Sequence, residues 1–441
     1  MSKLALLGGE KTIKADTPSE IFDWPIINKG MEDAAIKVLR DRTASGLDIS
    51  REFERGFADW HGVKYGLAHV NGTAALQAGF YALGVGVGDE IICPSITYWA
   101  SCISAMSLGA SIVYADIDPD TLCIDPVDIE KRITERTKVI VVVHYMSMPA
   151  DMDRIMALAK KYDIKVLEDV SHAHGALYKG KMVGTFGDAA GFSLMTGKSF
   201  AIGEGGILLT DNRDVYERAL LWGHYGRHSE IENEELKEIS GLPHGGCKNR
   251  LNQMASAIGI EQLKKYPAEM QEIDKAMNYF LDQLEGLPGI RTHRPEPDSG
   301  TTKGGWYACR GLYRPEELGG LSARRFCEAL SAEGVQTSPG CNKALHTHPI
   351  FNSVDVYRCG APTNLANLPD GVDVRLTDND LPVSAAIHGR AFSLPWFKHF
   401  KPEIIDQYAA AFRKVIENYE ELLPGDVDTV EDGSWALTKR K

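Results

Sequence analysis

The sequence predicts an α/β protein: a three-layer α/β/α domain around a seven-stranded, mainly parallel sheet, followed by a smaller C-terminal α+β domain. Several strand candidates between residues 64 and 210 are near-continuous apolar runs, such as Val139–Val143, which is typical of strands buried on both faces. Helical stretches at Ala74–Leu83, Ala100–Leu108 and Met152–Tyr162 separate several of them. From about Ile290 onward, short strands mix with helices. The seven strand candidates are Tyr65–Val70, Glu90–Pro94, Ser111–Ile117, Lys138–Tyr145, Lys165–Asp169, Ala190–Met195 and Ile207–Thr210.

The length of 441 residues favours two domains over one. We place the large domain, with an N-terminal arm, at residues 1–265 and the small domain at residues 266–441. A helical stretch that continues from Gln253 to Leu284 is predicted to join them. The tail from Pro424 is expected to be disordered. The other small-domain predictions are a strand at Trp306–Leu312, helices at Ser322–Glu333 and Ile404–Leu422, and a loop at Asn352–Ser384.

The composition argues against nucleic-acid and membrane partners. The formal net charge is −13, whereas a protein that neutralises phosphates along a nucleic acid needs a basic face. No apolar run approaches the length of a membrane-spanning helix, and the N-terminus is too poor in apolar residues for a signal peptide. The eight cysteines are scattered, without a Cys-x-x-Cys pair. We therefore expect a cytoplasmic protein without a metal site.

Lys198 and Asp169 indicate the chemistry. Lys198 follows the strand-like run Ala190–Met195 in a short glycine-flanked turn, and Asp169 ends the apolar strand Lys165–Asp169. A lysine amine that forms a Schiff base and a carboxylate that pairs with a ring nitrogen are what pyridoxal 5′-phosphate (PLP) requires. Opposite charges about 4 Å apart are worth roughly 4 kcal/mol at an effective dielectric near 20, enough to keep the pyridine nitrogen protonated at neutral pH. A lone lysine in such a turn is usually solvated. The prediction therefore depends on the combination of Lys198 and Asp169 with the phosphate-binding and ring-binding motifs that follow.

A phosphate site is predicted beside this pair. Gly72 and Thr73 directly follow a strand and open a helix, whose free backbone amides and positive dipole end suit an anion. Ser193, at the end of another strand, would add a phosphate contact. An Asn-Gly-Thr sequence before a helix is also a common N-cap, so this motif alone is weak.

Two further residues are predicted to hold the cofactor ring. Tyr98, with Trp99 as the second choice, follows a strand and suits stacking on the pyridine ring, although an aromatic anchor for a helix is an equal alternative. His172 lies just past the strand that ends at Asp169, where it is placed to hydrogen-bond the ring hydroxyl oxygen. His174 is the competing histidine.

With these motifs, the chain resembles the DegT–DnrJ–StrS sugar aminotransferase family of fold-type I PLP-dependent enzymes, from about Trp24 to Leu263 and more loosely to about Leu422. Some members of that family carry histidine at the lysine position and act as dehydratases, so Lys198 favours transamination. The resemblance implies catalytic roles for Lys198, Asp169 and His172. The matching segments are Asn71–Leu76, Pro94–Tyr98, Pro149–Met152, Glu168–Asp169 with His172, Phe192–Ser193 with Lys198, Gly203–Gly206, and Ala257–Gly259 with Gln262–Leu263.

The resemblance also implies a homodimer with its active sites at the subunit interface. The family usually has an Asn-x-Arg pattern before Ala257, from which the neighbouring subunit reaches the phosphate. Here Lys248 stands where asparagine is common, so Lys248, Asn249 or Arg250 is expected to supply the contact, with Asn249 as the predicted cofactor-binding residue. A basic helix start without a cofactor role is the alternative.

We therefore predict an aminotransferase that moves an amino group from glutamate or glutamine to a keto sugar, either nucleotide-linked or a cyclitol. Nucleotide-linked keto sugars are the commonest substrates in the family, whereas Leu6–Lys11 and Phe392–Trp396 look more like the branch with keto-cyclitol (inosose) aminotransferases. The two acceptors stand nearly even. The candidates for acceptor contacts are His346, His348, His399 and Tyr225.

Two other classes are open. An NAD-linked oxidoreductase is disfavoured because the glycine-rich Gly84–Asp89 precedes a strand instead of leading from a strand into a helix. A PLP-binding regulator or sensor on the same fold, without transaminase turnover, is the non-enzymatic alternative. The intact pair of Lys198 and Asp169 argues against it.

Overall fold

The seven predicted strands form one sheet. The computed structural model describes residues 3–14, 17–427 and 435. Its strands are β1 (Tyr65–His69), β2 (Glu90–Pro94), β3 (Ser111–Ala115), β4 (Thr137–Val143), β5 (Lys165–Asp169), β6 (Leu177–Tyr178), β7 (Lys181–Met182), β8 (Ala189–Ser193), β9 (Gly206–Thr210), β10 (Ile290–Thr292), β11 (Arg310–Tyr313) and β12 (Ala391–Ser393). The main sheet has the order β1-β9-β8-β5-β4-β2-β3. β9 is antiparallel to β1 and β8, and the other pairings are parallel. The carboxyl ends of the parallel strands and the start of β9 therefore meet at one edge.

Helices cover this sheet and build the rest of the chain. They are α1 (Lys29–Asp41), α2 (Asp48–His61), α3 (Gly72–Ala82), α4 (Ile103–Met106), α5 (Pro126–Arg132), α6 (Met152–Tyr162), α7 (Arg213–Gly223), α8 (Glu234–Glu238), α9 (Gln253–Leu284), α10 (Ala323–Glu333), α11 (Pro349–Asn352), α12 (Pro382–Ala386) and α13 (Pro402–Glu417). Several helices begin at a residue whose side chain caps the first turn. The side chain of Asn71 accepts a hydrogen bond from the Ala74 amide at 2.9 Å at the start of α3, and that of Asn252 accepts one from the Ala255 amide at 3.0 Å at the start of α9.

The buried apolar side chains form two clusters. The first surrounds the main sheet and includes all of Val139–Val143, as the apolar run predicted. The second lies among α9, α10, α13 and the three-stranded sheet β10-β11-β12, and it also takes in Leu4 and Ile13 from the N-terminal segment. The division proposed at residues 265 and 266 falls inside α9 and stays a prediction.

Two predicted elements are wrong in extent. The helix at Ala100–Leu108 is a 3₁₀ turn followed by the four-residue α4, because Cys102 between them has a non-helical backbone (φ −136°, ψ −33°). The strand at Trp306–Leu312 is confined to β11, because Trp306 and Ala308 adopt left-handed backbone angles (φ 56° and 52°) that interrupt an extended chain. The loop at 352–384 is largely irregular as predicted, and most of the tail predicted to be disordered lies outside the described residues.

Six buried histidines make the free energy of unfolding sensitive to pH. Burial lowers the pKa of His61 to about 4, of His224 to about 4 and of His174 to about 3. The other three, whose pKa burial also lowers, are His69, His172 and His293. Below about pH 6.5 the unfolded chain binds protons at these sites while the folded chain does not, so folding stability is lost as the pH falls.

We expect the free energy of unfolding to fall by about 1 kcal/mol for each of these histidines between pH 6.5 and pH 5.5. Urea titrations at the two pH values measure this. In a His61→Gln variant the loss should be smaller by about 1 kcal/mol. A midpoint that does not move with pH in the native chain would contradict the prediction.

Candidate active site

A cavity of about 610 Å³ lies where the parallel strands end. This is the usual ligand site of open α/β sheets, because the loops that leave the carboxyl ends of the strands converge there. Seven of the eight predicted site residues line the cavity: Gly72, Thr73, Tyr98, Asp169, His172, Ser193 and Lys198. The exception is Asn249.

Lys198 sits on a loop whose two ends are fixed to the sheet. The loop leaves β8 and returns into the antiparallel β9 at the same edge, and it is closed by hydrogen bonds from Leu194 N to Gly205 O (2.9 Å) and from Thr196 N to Gly203 O (2.7 Å). The Trp24 indole nitrogen donates to the Lys198 carbonyl at 2.7 Å. These contacts hold the lysine at the cavity wall with 8% of its surface exposed.

The Lys198 amine has no acidic partner in the part of the chain that the structure describes. Its Nζ lies 4.4 Å from the centre of the Tyr307 ring, a cation–π contact, and forms no ion pair there. A buried lysine without a counter-ion lowers folding stability. Its presence here therefore points to a chemical task. Its place in the cavity is what a covalent bond to a cofactor aldehyde requires.

Asp169 ends β5 and is only 5% exposed. Its Oδ2 accepts from the Ser101 hydroxyl at 2.6 Å, and its Oδ1 accepts from the Ser171 amide at 3.0 Å. Neither contact brings a positive charge, and no ion pair to Asp169 occurs in the described chain. The carboxylate therefore lacks the cation that its burial calls for, which a protonated pyridine nitrogen would supply.

His172, and not His174, lines the cavity. Burial, together with the charge of Lys198, holds the pKa of His172 well below its usual range, so its ring is neutral. The Met146 amide donates to Nδ1 at 3.4 Å, which leaves the ring proton on Nε2. His174 is fully buried and contacts the Ser199 hydroxyl at 3.2 Å, so it belongs to the core.

The residues predicted to bind a phosphate lie together on the cavity wall, and their role stays a prediction. Asn71 caps α3, and the amides of Gly72 and Thr73 lie in the first turn, where helix amides have no partner within the helix. A Cβ on Gly72 would lie 2.7 Å from the Cβ of Ser193. The glycine is therefore required for close contact between α3 and β8, and not only for the approach of a phosphate.

Tyr98 and Trp99 both line the cavity, with their ring centres 4.7 Å apart. The choice between them as the stacking residue stays a prediction. Asn249 lies elsewhere: it is 7% exposed, and its carbonyl accepts the Val70 amide at 2.7 Å. Lys248 and Arg250 line a separate cavity of about 40 Å³.

The residues suggested for acceptor contacts lie outside the cavity of their own chain. His346 is held by Ser95 at 2.7 Å and by Asp378 at 2.9 Å, and His399 contacts Glu272 at 3.1 Å. His348 and Tyr225 do not line the cavity either.

Residues from the later part of the chain form the wall of the cavity opposite the sheet edge. None of them was predicted as a site residue from the sequence. They are Tyr307, Arg310, Ser338, Asn342 and His388. Left-handed backbone at Trp306, Ala308 and Gly340 turns these loops toward the sheet edge. The only sequence signal is a cluster of glycines and polar residues on either side of β11, which is too general to identify a site.

The residues present fit PLP. An amine and a carboxylate, both buried and without counter-ions in the described chain, line one cavity together with a helix N-terminus and the aromatic rings of Tyr98, Trp99 and Tyr307. No group of three His, Cys, Asp or Glu side chains within the described residues is arranged to hold a metal ion.

Comparison with known proteins decides the family. The model of the DegT/DnrJ/EryC1/StrS aminotransferase family matches residues 25–413. The chain belongs to this family. It is a family of PLP-dependent enzymes, so the predicted resemblance, the aminotransferase activity and the cofactor are confirmed. The alternatives of an NAD-linked oxidoreductase and of a regulator without turnover gain no support.

Relatives of this DegT/DnrJ/EryC1/StrS aminotransferase cover nearly its whole length. It is 31% identical to the L-glutamine:scyllo-inosose aminotransferase of Streptomyces griseus, over 96% of this chain and 99% of that protein. It is also 31% identical to the L-glutamine:2-deoxy-scyllo-inosose aminotransferase of Micromonospora echinospora, over 96% and 100% of the two chains.

A solved aminotransferase from Psychrobacter cryohalolentis has the same fold. It superimposes with a TM-score of 0.78 at 28% identity, over 90% of this chain and 100% of that one. The predicted fold-type I architecture is thereby confirmed. Among the described residues, every helix is too short or too polar to cross a membrane.

Proposed function

We propose that this enzyme transfers the amino group of L-glutamine to the ketone of a cyclitol, an inosose. The proposal depends on one observation: Lys198 and Asp169 line the same cavity, and both are buried without a counter-ion in the described chain. The L-glutamine:inosose aminotransferases that align over nearly the whole chain support the choice of donor and acceptor.

The chain's own residues can perform the proton transfers of this reaction. PLP supplies an aldehyde that takes up an amine and a ring that accepts electrons from the neighbouring carbon. With PLP bound, Lys198 would hold the aldehyde carbon between turnovers, and its freed amine would remove the proton from the donor Cα. Asp169 would hold a proton on the ring nitrogen, and His172, with its proton on Nε2, would donate to the ring hydroxyl oxygen. The amides of Gly72 and Thr73, with Ser193, would bind the phosphate.

The charges of the cavity support a cyclitol over a nucleotide-linked sugar. Among the described residues that line it, Lys198 and Arg310 are the only lysine and arginine. Lys198 is committed to the cofactor, so this chain offers little positive charge for a nucleotide diphosphate, which normally binds to several cations. A cyclitol is neutral and needs only hydroxyl partners, and the side chains of Ser338 and Asn342 offer them.

The enzyme is proposed to be a cytoplasmic homodimer with shared active sites. All eight cysteines are free thiols, as in a reducing compartment. The segment Lys248–Arg250 lies outside the cavity of its own chain, which fits a contribution to the neighbouring subunit. Lys248 is exposed and Arg250 partly exposed, whereas Asn249 is buried, so burial favours the two cations for the phosphate contact.

The test is a pair of half-reactions on the purified PLP enzyme. L-Glutamine alone should remove the cofactor's visible absorbance, and scyllo-inosose should restore it with formation of an amino-cyclitol. A nucleotide-linked keto sugar should restore it much more slowly. Restoration by the nucleotide sugar alone would reject the cyclitol, and no response to any amino acid would reject the proposed function as a whole.

A further inference from the structure

Trp24, in the N-terminal segment, contacts the backbone of the reacting lysine. Its indole Nε1 donates to the Lys198 carbonyl at 2.7 Å, across 174 positions of sequence. No backbone amide of the described residues donates to that carbonyl. The turn that carries Lys198 therefore depends on a distant side chain for this hydrogen bond, and Lys198 is too buried for water to replace the indole easily.

The indole of Trp24 is itself held in one orientation. Its ring lies 5.7 Å from the ring of Trp396, and the Lys398 ammonium lies 5.8 Å from its centre. The Lys398 amide donates to the Ile21 carbonyl at 2.9 Å, which ties the segment before Trp24 to the chain after β12. Trp24 also packs against both hydrophobic clusters. The N–H group therefore reaches Lys198 from a fixed position.

The position of this carbonyl affects the position of the amine. The carbonyl carbon is bonded to the Lys198 Cα, so a rotation of that peptide unit tilts the whole side chain and shifts Nζ along the cavity wall. A displacement of about 1 Å in a reacting group can lower a rate on the order of 100-fold. A hydrogen bond that holds the peptide unit therefore has a direct effect on the chemistry of the lysine.

We infer that Trp24 is a positioning residue for the Lys198 amine. It does not line the cavity, so it acts through the lysine and not by contact with the cofactor or a substrate. The inference rests on the role proposed for Lys198 and is independent of which donor and acceptor the enzyme uses. Removal of the indole N–H should slow the steps that use the amine and leave substrate binding unchanged.

The kinetic test is Trp24→Phe, which removes the N–H and keeps an aromatic ring. In the PLP enzyme, the rate of the L-glutamine half-reaction at saturating donor should fall about tenfold or more, and the half-saturating donor concentration should stay within about threefold. Trp222→Phe is the matched control, because it removes an indole donor to Gln77 (3.3 Å) outside the cavity. It should change neither quantity.

Hydrogen exchange provides a readout that does not depend on turnover. The amides of Thr196, Lys198 and Ile202 donate to carbonyls of the lysine loop itself. Mass spectrometry of the PLP enzyme should show about tenfold faster exchange in residues 195–203 of Trp24→Phe, and native exchange there in Trp222→Phe. Unchanged exchange in Trp24→Phe would overturn the inference.

A Lys198→Ala background shows whether Trp24 acts through the lysine. Ethylamine at high concentration can act as the base in place of the missing side chain, and it is not attached to the backbone. Adding Trp24→Phe should then leave the rescued rate within about twofold. An equal tenfold loss in this background would assign Trp24 to the fold or to substrate binding, and a native rate in the Trp24→Phe enzyme would remove its role; either result overturns the inference.

The remaining outcomes are also decisive. If Trp24→Phe does not fold, the indole is replaced by its benzothiophene isostere, which has the same shape but no N–H, and the same losses are expected. If ethylamine restores no turnover, the exchange of residues 195–203 and the separation of rate from half-saturation decide the question. A native rate in Lys198→Ala would reject the proposed role of the lysine, whereas a native rate in Trp24→Phe alone would reject only the inference.

Discussion

A Lys198→Ala variant should lose transamination by at least about 10³-fold, because in the proposed reaction the same amine both binds the cofactor and moves the proton at the donor Cα. Stopped-flow measurement of the L-glutamine half-reaction tests this, and the visible absorbance of the bound cofactor should change at the same time. Lys198→Arg keeps the positive charge next to the Tyr307 ring but offers no comparable nucleophile, so it should be equally inactive.

The matched control is Lys160→Ala, at an exposed lysine on α6, which should retain full activity. Circular dichroism should be native for all three variants, since Lys198 forms no ion pair with the described residues whose loss would unfold the chain. A Lys198→Ala enzyme that turned over at the native rate would remove the lysine from the mechanism altogether.

Asp169→Asn should give the second-largest loss, about 10³-fold in kcat/KM. The replaced charge interacts with the ring nitrogen by roughly 4 kcal/mol at an effective dielectric near 20, which corresponds to about three pKa units at that nitrogen. Asparagine keeps the shape of the side chain and can still bond to Ser101 and Ser171, so the effect isolates the charge.

A graded comparison comes from Ser101→Ala. This variant removes one hydrogen bond to the carboxylate and leaves the charge, so a loss of about tenfold or less is expected. The pH dependence of the cofactor absorbance distinguishes the two variants, because only the loss of the charge should lower the pKa of the ring nitrogen. An Asp169→Asn enzyme within tenfold of the native one would mean that the ring is neutral in this site.

The sheet, and the cavity residues that lie at its edge, could be predicted because their signals are local. Each strand of the main sheet is a short apolar run. Thr73, Asp169 and Ser193 each lie at or just beyond the end of a strand, and the ends of parallel strands meet at one edge of the sheet. The role of Gly72 against Ser193 could not be foreseen, because it depends on how closely α3 packs on β8.

The opposite wall of the cavity was missed for a related reason. Tyr307 and Arg310 line the cavity because Trp306 and Ala308 adopt left-handed backbone angles. Neither tryptophan nor alanine is a residue type from which such angles can be predicted. The sequence suggested that His346 contacts the acceptor, yet its two ring nitrogens are hydrogen-bonded to Ser95 and Asp378. Histidine in a loop is too versatile a residue for its partners to be read from the sequence.

The lysine loop between β8 and β9 has a consequence for the catalytic cycle. Because both of its ends enter adjacent strands, the nucleophile is positioned once, when the chain folds, and is not reordered at every turnover. Any movement that admits or releases a substrate is then left to the opposite wall, around Tyr307 and Gly340. Swapping those later loops between related enzymes should therefore change which ketone is accepted without disturbing the reacting amine.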